Sequence, residues 1–325
     1  MPGRSNSRVI LSPTVDVVGV GLNAMDYISV VDEFPRPNSK LEIRQVRLEP
    51  GGQVATALTT CRRLGLRARY IGSVGSDDLG RVQMESLRAE GLDVEFVRVV
   101  EGAGTQVAFI LVEESVGERT ILWHRDPRLR FPAADLSSES ITTARLLHLD
   151  GRDTEAALLS AQWANKAGIP VVIDIDQIYD SSTEELLSRV DYLIAAEDFA
   201  KRVTGRTDSE GLVRSLGERY GAAVTGVTLG GRGAVFLQDG RLMESPAFEV
   251  PVKDTTGAGD VFHGAFIFGV LEGWALEETI RFAHAVAAIK CMELGARAGI
   301  PGMEKVRSFL KTATERPGRQ DDVSS

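Results

Sequence analysis

Apolar positions along this chain fall into two kinds of segment, and their alternation gives the first reading of the architecture. Short apolar runs stand at Val15–Val20, Arg69–Val74, Arg145–Leu149, Val171–Asp174, Tyr192–Ala195, Ala223–Leu229 and Ala234–Leu237. Their length and composition suit strands buried on both faces. Ala55–Leu64, Leu79–Glu90, Thr154–Lys166, Glu184–Val190, Glu210–Tyr220, Val261–Leu271 and Leu276–Met292 read as helices. Strand and helix alternating in this way predict βα units on a parallel sheet with both faces covered.

Two stretches break the rhythm. Tyr27–Val31 with Leu41–Leu48, and Thr105–Glu113 with Arg119–His124, alternate apolar and polar residues as half-buried antiparallel strands do. Glu114-Ser115-Val116-Gly117-Glu118 fits a hairpin turn between the second pair. Four such strands would form a small sheet standing off the main body. The expected organisation is therefore one α/β domain over residues 1–311 carrying this small sheet, with a polar, frayed tail from Thr312 to Ser325.

Composition narrows the field without naming a function. At 325 residues the chain can bury a large core. A net charge of −9 argues against a nucleic-acid partner, which would call for a basic face. Cys61 and Cys291 are too few for a disulfide framework and suit a reducing cytoplasm. The first dozen residues lack an apolar core of signal-peptide type, and no apolar run reaches membrane-spanning length, so neither secretion nor a membrane partner is expected.

The chemistry concentrates in Lys253-Asp254-Thr255-Thr256-Gly257-Ala258-Gly259-Asp260. Small residues there let the backbone approach a ligand closely. The helix that follows offers unpaired N–H groups and the positive end of its dipole. Such a turn is an anion hole, formed by the backbone around Gly257, Ala258 and Gly259. Asp260, in the first helical turn, is placed as a general base. An anion hole beside a carboxylate is what phosphoryl transfer to a hydroxyl requires. His263, one turn on, either touches the site or packs beneath it.

Other motifs fail in context. Gly19-Val20-Gly21-Leu22-Asn23-Ala24 matches a dinucleotide fingerprint, but the β-branched Met25–Val31 follows where a helix is needed. His124-Arg125-Asp126 imitates a protein-kinase loop, with Phe131 in place of the expected Asn. Four His residues show no metal-ligand spacing.

Asp254-Thr255-Thr256-Gly257-Ala258-Gly259-Asp260 resembles the C-terminal signature of the ribokinase-like, or PfkB, carbohydrate kinases. Gly51-Gly52-Gln53-Val54-Ala55-Thr56-Ala57-Leu58 and the stretch from Lys290-Cys291 to Gly299-Ile300-Pro301 resemble two further blocks of that family, and the likeness spans roughly residues 14 to 311. The resemblance implies a ribokinase-like fold, ATP and Mg²⁺, a sugar acceptor, and a lid made by the four alternating strands, through which a homodimer would form. It places Asp26 on sugar hydroxyls, with Gly52, Gln53 and Thr56 at the opening of the next helix; the family often has Asn where Thr56 stands. Asn23 and Asn38 are weaker candidates with an ordinary turn role as the alternative. Lys40 on the lid and Arg152, after the strand Arg145–Leu149, are cations that could read the substrate; Arg152 could instead pair with Asp153 or Glu155. For the nucleotide, the resemblance points to Thr228, Gly230 and Gly233 in a Gly-containing loop, and to Ala283, His284 and Ala287 on the following helix. Asp254 and Thr256 match positions that hold a monovalent cation, K⁺, in potassium-activated members.

One departure stands out. The family's Asn-x-x-Glu element for Mg²⁺ would fall at Ala196 and Phe199, leaving Glu197, with Asp198 beside it, to hold a Mg²⁺-bound water. Ketohexokinase-like and sulfosugar-kinase-like branches depart there too and are similar to this chain around Asp150-Gly151-Arg152. The expectation is thus an ATP-dependent kinase for a primary hydroxyl of a ketose-type sugar. Alternatives are a nucleoside kinase, with Phe109 and Trp123 as a purine platform, or a sugar-binding relative without catalysis.

Overall fold

The two kinds of segment sort into two sheets. A computed structural model describes residues 13–315. The expectations for the first dozen residues and for most of the polar tail lie outside the described residues. In chain order the strands are β1 (Val15–Val20), β2 (Ala24–Val31), β3 (Gln45–Gly51), β4 (Ala68–Gly75), β5 (Val97–Val100), β6 (Val107–Glu113), β7 (Arg119–His124), β8 (Ala144–Leu149), β9 (Val171–Ile175), β10 (Tyr192–Ala196), β11 (Val224–Thr228), β12 (Ala234–Gln238) and β13 (Arg241–Ser245). The α-helices are α1 (Gln53–Arg63), α2 (Asp78–Ala89), α3 (Ser138–Thr142), α4 (Thr154–Ala167), α5 (Ser182–Leu187), α6 (Glu197–Thr204), α7 (Ser209–Tyr220), α8 (Ala258–Glu272), α9 (Leu276–Cys291) and α10 (Met303–Thr312).

Nine strands form the larger sheet in the order β13-β12-β11-β10-β9-β8-β1-β4-β5. Pairing is parallel from β11 to β5, and the β11–β12 and β12–β13 pairs at one edge are antiparallel, so β12 alone is reversed. Its inner strands bury almost every side chain, as a sheet covered on both faces must. One apolar layer packs Val54 and Leu58 of α1 with Phe262 and Phe266 of α8 and Ile289 of α9. The other packs Ala157 of α4, Leu187 of α5 and Leu216 of α7 against the opposite face.

The smaller sheet has the order β3-β2-β6-β7. Its outer pairs are antiparallel, but β2 and β6 are parallel. That corrects the expectation of a wholly antiparallel sheet: β3 through β5 intervene in sequence, so no hairpin joins β2 to β6. A second correction concerns Leu41–Leu48, where the strand begins only at Gln45 and continues to Gly51. Residues 32–44 instead form a loop containing Pro35, Pro37 and Asn38, whose φ is 63°, closed by a two-pronged Arg44–Asp32 contact. The Glu114–Glu118 turn is observed between β6 and β7, with Gly117 N donating to the Glu113 carbonyl.

Alternation in the small sheet decides what faces the interior. Asp26 of β2 stands in register with Ala108 and Trp123, and Ile28 with Ile110 and Ile121. The intervening residues Tyr27, Phe109 and Leu122 form the opposite face, where Phe109 is 51% and Leu122 62% exposed.

Candidate active site

A cavity of about 440 Å³ lies between the small sheet and the C-terminal ends of the parallel strands. Ligands collect at that end of open α/β sheets because loops and helix N-termini converge there. Leu22 follows β1, Arg152 follows β8, Asp174 is the last residue but one of β9, Ala196 ends β10 and Thr228 ends β11, and all of them line it. The lid supplies Asp26, Ala108, Ile110, Arg119, Ile121 and Trp123. Thus one face of the small sheet is the cavity roof.

Two helix N-termini open into this space. At α8, Gly257 is the N-terminal cap with φ of 73°, a left-handed conformation that glycine adopts without strain; Gly257, Gly259 and Asp260 line the cavity. A Cβ on Gly257 would also press on Ala296. Ala258, the first residue of α8, lies in the same turn. At α1 the cap is Gly52, φ 93°, and a Cβ there would collide with the Asn23 and Ala24 backbone. Gly52 and Gln53 also line the cavity. Both caps line this one cavity, so both positive helix ends lie at one volume.

The carboxylates in and around this volume are held in an unusual state. Burial and the neighbouring Asp174 carboxylate both push the Asp260 carboxyl above the ordinary carboxylate range, against the pull of His263, Arg119 and Lys290. Asp174 is pushed upward as well, chiefly by burial and secondarily by Asp176. Like charges in a desolvated site raise one another in this way. Burial drives Asp26 up to about 7, partly offset by the buried Arg297 guanidinium. Burial pushes His263 below its ordinary value; it lines the cavity with its Nδ1 2.9 Å from the Gly259 carbonyl and its Nε2 3.3 Å from the Ile194 carbonyl. It sits beneath the turn, with its Nδ1 3.4 Å from Asp174.

Of the other sequence candidates, the structure brings some to the cavity and leaves others away. Arg152 is there, its guanidinium 4.7 Å from the Trp123 ring centroid and 5.0 Å from that of Tyr179. Its alternative partners are taken: Asp153 pairs with Arg125 at 2.7 Å and Glu155 with Arg130 at 3.1 Å. Asp150 is wholly buried and accepts from the backbone of Leu22 and Arg152 at 2.6 and 2.9 Å, so it shapes the loop that presents Arg152. Asn23 is turned inward, its amide donating to the Tyr70 hydroxyl at 2.6 Å and the Ser73 carbonyl at 2.9 Å. Thr56 is buried on α1 with its hydroxyl accepting from Arg297 at 3.3 Å, outside the cavity lining. Lys40 is exposed in the loop between β2 and β3 and does not line the cavity.

At the nucleotide end, Thr228 lines the cavity while Gly230 and Gly233 lie in the loop just beyond it. Ala283 and His284 are buried on α9 and Ala287 is half-buried, none of them in the cavity wall. His284 packs edge-on against Phe262, and burial pushes it down to about 4, so it is neutral. Glu197 is held by Arg232 and by Lys201 at 2.9 Å. Asp254 is fully buried, accepting from the backbone N–H of Thr256 and of Gly295, each at 2.8 Å. No group of three or more His, Cys, Asp and Glu that could hold a metal occurs among the described residues.

The sequence reading passed over Arg119, Asp174, Asp176 and Gln106, all of which line the cavity. Arg119 donates to the Thr255 hydroxyl at 2.9 Å, tying β7 to the anion turn. The alternation of β7 was the available signal, since Arg119, Ile121 and Trp123 share a face.

Known proteins place this arrangement. The chain matches the pfkB family carbohydrate kinase model over residues 15–303 and belongs to that family. A ribokinase of Haemophilus influenzae is 30% identical over 306 residues, covering 92% of this chain and 99% of its own. A nucleoside kinase of Methanothermobacter thermautotrophicus is 29% identical over 304 residues, covering 92% and 97%. The structure of an Arabidopsis thaliana ribokinase complexed with ribose and ATP superposes with a TM-score of 0.78 at 25% identity, covering 92% of this chain and 99% of that one. The fold is ribokinase-like and the protein is a sugar or nucleoside kinase, a phosphotransferase with an alcohol acceptor. No helix among the described residues is long and apolar enough to cross a membrane.

Proposed function

We propose that this enzyme transfers the γ-phosphoryl group of ATP to a primary hydroxyl of a ketose-type sugar or sugar derivative. The observation that carries the reading is the facing of Asp260, at the α8 N-terminus, and Asp26, on the lid sheet, across one cavity. Asp260 takes the proton of the attacking hydroxyl, and the N–H groups of the Gly257–Gly259 turn stabilise the charge on the transferring group. Asp26 accepts two sugar hydroxyls, as a carboxylate with two acceptor oxygens can. Gly52 and Gln53 let the sugar lie against the α1 N-terminus.

ATP enters from the Thr228–Gly233 side, where a Gly-containing loop follows the C-terminal end of β11; the plant ribokinase of the same fold is complexed with ATP. Mg²⁺ keeps several waters and leans on substrate phosphates, so one or two carboxylates suffice for it. Asp174 and Asp176 line the cavity and fit that need better than Glu197, whose carboxylate is already shared by two cations. When bound, the ion neutralises charge on the phosphates.

A ketose or sugar acid suits the roof better than a nucleoside. Phe109 is on the outer face, stacked on Tyr27 at 5.2 Å, and the Trp123 ring is covered by Arg152. No pair of free aromatic faces remains there to sandwich a purine. The exposed outer face of the lid, with Val46 60% and Leu122 62% accessible, is covered by a second copy of the chain in a homodimer. Cys61 and Cys291, both buried as free thiols, support a reducing compartment, the cytoplasm, as its location.

A coupled ADP-release screen over ketoses, aldoses, sugar acids and nucleosides tests the reading. A ketose or sugar acid should give the highest kcat/KM. Adenosine or inosine outrunning every sugar would overturn it.

A further inference from the structure

Arg297 is a guanidinium that the proposed transfer does not use, packed out of water at 3% exposure in the segment between α9 and α10. Arginine is almost never buried so fully unless its charge and its donors are answered. Its Nη2 donates to the Gly51 carbonyl at 2.5 Å and its Nε to the Thr56 hydroxyl at 3.3 Å. The first partner ends the lid strand β3 and the second lies on α1, so one side chain ties lid to helix on either side of the Gly52 cap. The Arg297 carbonyl accepts from Arg63 of α1 at 2.8 Å, which anchors the backbone that carries the guanidinium. Its third nitrogen, Nη1, is buried without a hydrogen-bond partner among the described residues.

Asp26 reaches the same place from the lid. It is 4% exposed, and a Cβ on Gly51 would stand 2.0 Å from its Oδ2, so the carboxylate lies over Gly51. Gly51 is thus the floor shared by a buried carboxylate and a buried guanidinium. Burial opposes a negative charge on Asp26, and so do Asp260 in the first turn of α8, Asp254 before that helix and Glu49 beside it on β3; Arg297 alone among its charged neighbours favours one. Asp26 is in turn the strongest of the charges that support Arg297. Glu49 is drawn off, with Arg47 at 3.3 Å and its carboxylate against Gly295.

We infer that Arg297 is the positioning residue of the acceptor end: it holds Asp26 as an anion and fixes the Gly51–Gly52 floor on which that anion lies. A protonated Asp26 gives up part of its accepting capacity and becomes a donor, so it no longer accepts from two hydroxyls at once. The inference rests on the proposed sugar role of Asp26 for its binding arm only.

The test compares wild type with Arg297→Gln, which can still donate hydrogen bonds but carries no charge, and with Arg297→Lys, which keeps the charge. Two quantities are followed against pH while circular dichroism reports the fold. One is the ionisation of the Asp26 carboxyl by carbon NMR on aspartate-labelled protein without substrate, its resonance identified by loss in Asp26→Asn. The other is the sugar KM, with kcat, on the best sugar. Without the neighbouring positive charge Asp26 ionises less readily, so in Arg297→Gln its titration should move to higher pH by about one pH unit or more. Sugar KM should rise about ten- to a hundredfold at neutral pH and fall back toward wild type as the pH is raised, with kcat changing far less. Arg297→Lys should follow wild type in both. A folded Arg297→Gln whose Asp26 titrates where that of wild type does overturns the inference. So does a KM raised equally at every pH, the mark of a purely structural part. A titration that moves while KM stays put upholds the hold on Asp26 and overturns the sugar role of Asp26 instead. Should Arg297→Gln fail to fold, Arg297→Lys decides: an Asp26 titration that follows wild type upholds the inference, and one displaced to higher pH despite the retained charge overturns it. Should no sugar be turned over, the kinase reading falls and the carboxyl titration still decides on Arg297.

Discussion

The two ends of the cavity are built by different means. The phosphoryl end is a helix N-terminus packed into the main body: the turn before α8 rests on Ala296, Asp254 beneath it is 0% exposed, and α8 and α9 pack together over their length. The end proposed for the sugar is one face of a four-stranded sheet joined to the body by contacts such as Arg119 on Thr255, Gly117 against Val252 and Arg297 on Gly51. A packed turn fixes where charge develops to within the precision of the backbone. On the proposed reading, the face of the sheet can be varied to suit different acceptors while the transfer chemistry stays the same. The relatives that resemble this chain equally well accept different molecules by name, one a ribokinase and one a nucleoside kinase.

Variants at the two ends should separate these contributions. The largest effect is expected at Asp260. Asp260→Asn keeps the shape and removes the base, which costs about three orders of magnitude in kcat, with ATP affinity by calorimetry unchanged; a variant retaining a tenth of wild-type turnover would remove Asp260 from the role. Asp26→Ala comes next. Losing a charged acceptor of two hydroxyls should lower kcat/KM by about a hundredfold or more. Circular dichroism must accompany it, because Arg297 is buried beside Asp26 and loses its counter-charge.

Smaller effects sharpen the sugar end. Arg152→Ala should cost about ten- to a hundredfold in kcat/KM on a sulfonate- or carboxylate-bearing sugar and little on fructose, the worth of one charge-assisted contact. An unchanged ratio between a matched anionic and neutral pair would make Arg152 a loop residue held by Trp123 and Tyr179 alone. The same pair measured on Lys40→Ala should show no change, since that ammonium is exposed outside the cavity.

The pH profile probes the other end. Asp260 acts as a base only when ionised, and its carboxyl is raised, so kcat/KM should fall on the acid side at a pH above the ordinary carboxylate range. A profile flat down through the ordinary carboxylate range would show that Asp260 does not take the proton. The lid's outer face offers the mildest perturbation: Leu122→Glu should shift a sedimenting dimer to monomer, and a wild-type protein that sediments as a monomer at micromolar concentration would contradict the homodimer.

How much was legible in the chain follows the same division. The α8 turn could be read directly because local backbone requirements, glycine at a left-handed cap and a carboxylate in the first turn, are written in adjacent residues. The parallel strands were legible as apolar runs. The edge strand β5 (Val97–Val100) and the helices α6 and α10 are too short for a periodic pattern to stand out. The edge strand β13 had a signal, Asp239-Gly240, where both residues have positive φ and make the hairpin turn from β12. The cavity roof was harder. Whether Phe109 or Trp123 faces the sugar depends on register across β2, β6 and β7, and a one-residue slip exchanges the faces. Burial of Lys290 and Arg297 depends on α9 and the segment after it folding back under Asp254 and Gly51, which no local pattern encodes.

The division of labour between the two ends is best tested by measuring kcat and sugar KM side by side for Asp260→Asn and Asp26→Ala on the sugar with the highest kcat/KM. Asp260→Asn should lose turnover with sugar KM nearly unchanged, and Asp26→Ala should raise KM steeply while retaining far more of kcat. If instead Asp260→Asn raises KM with turnover intact, or Asp26→Ala leaves KM where it was, the assignment of chemistry to the α8 turn and of sugar recognition to the lid is wrong.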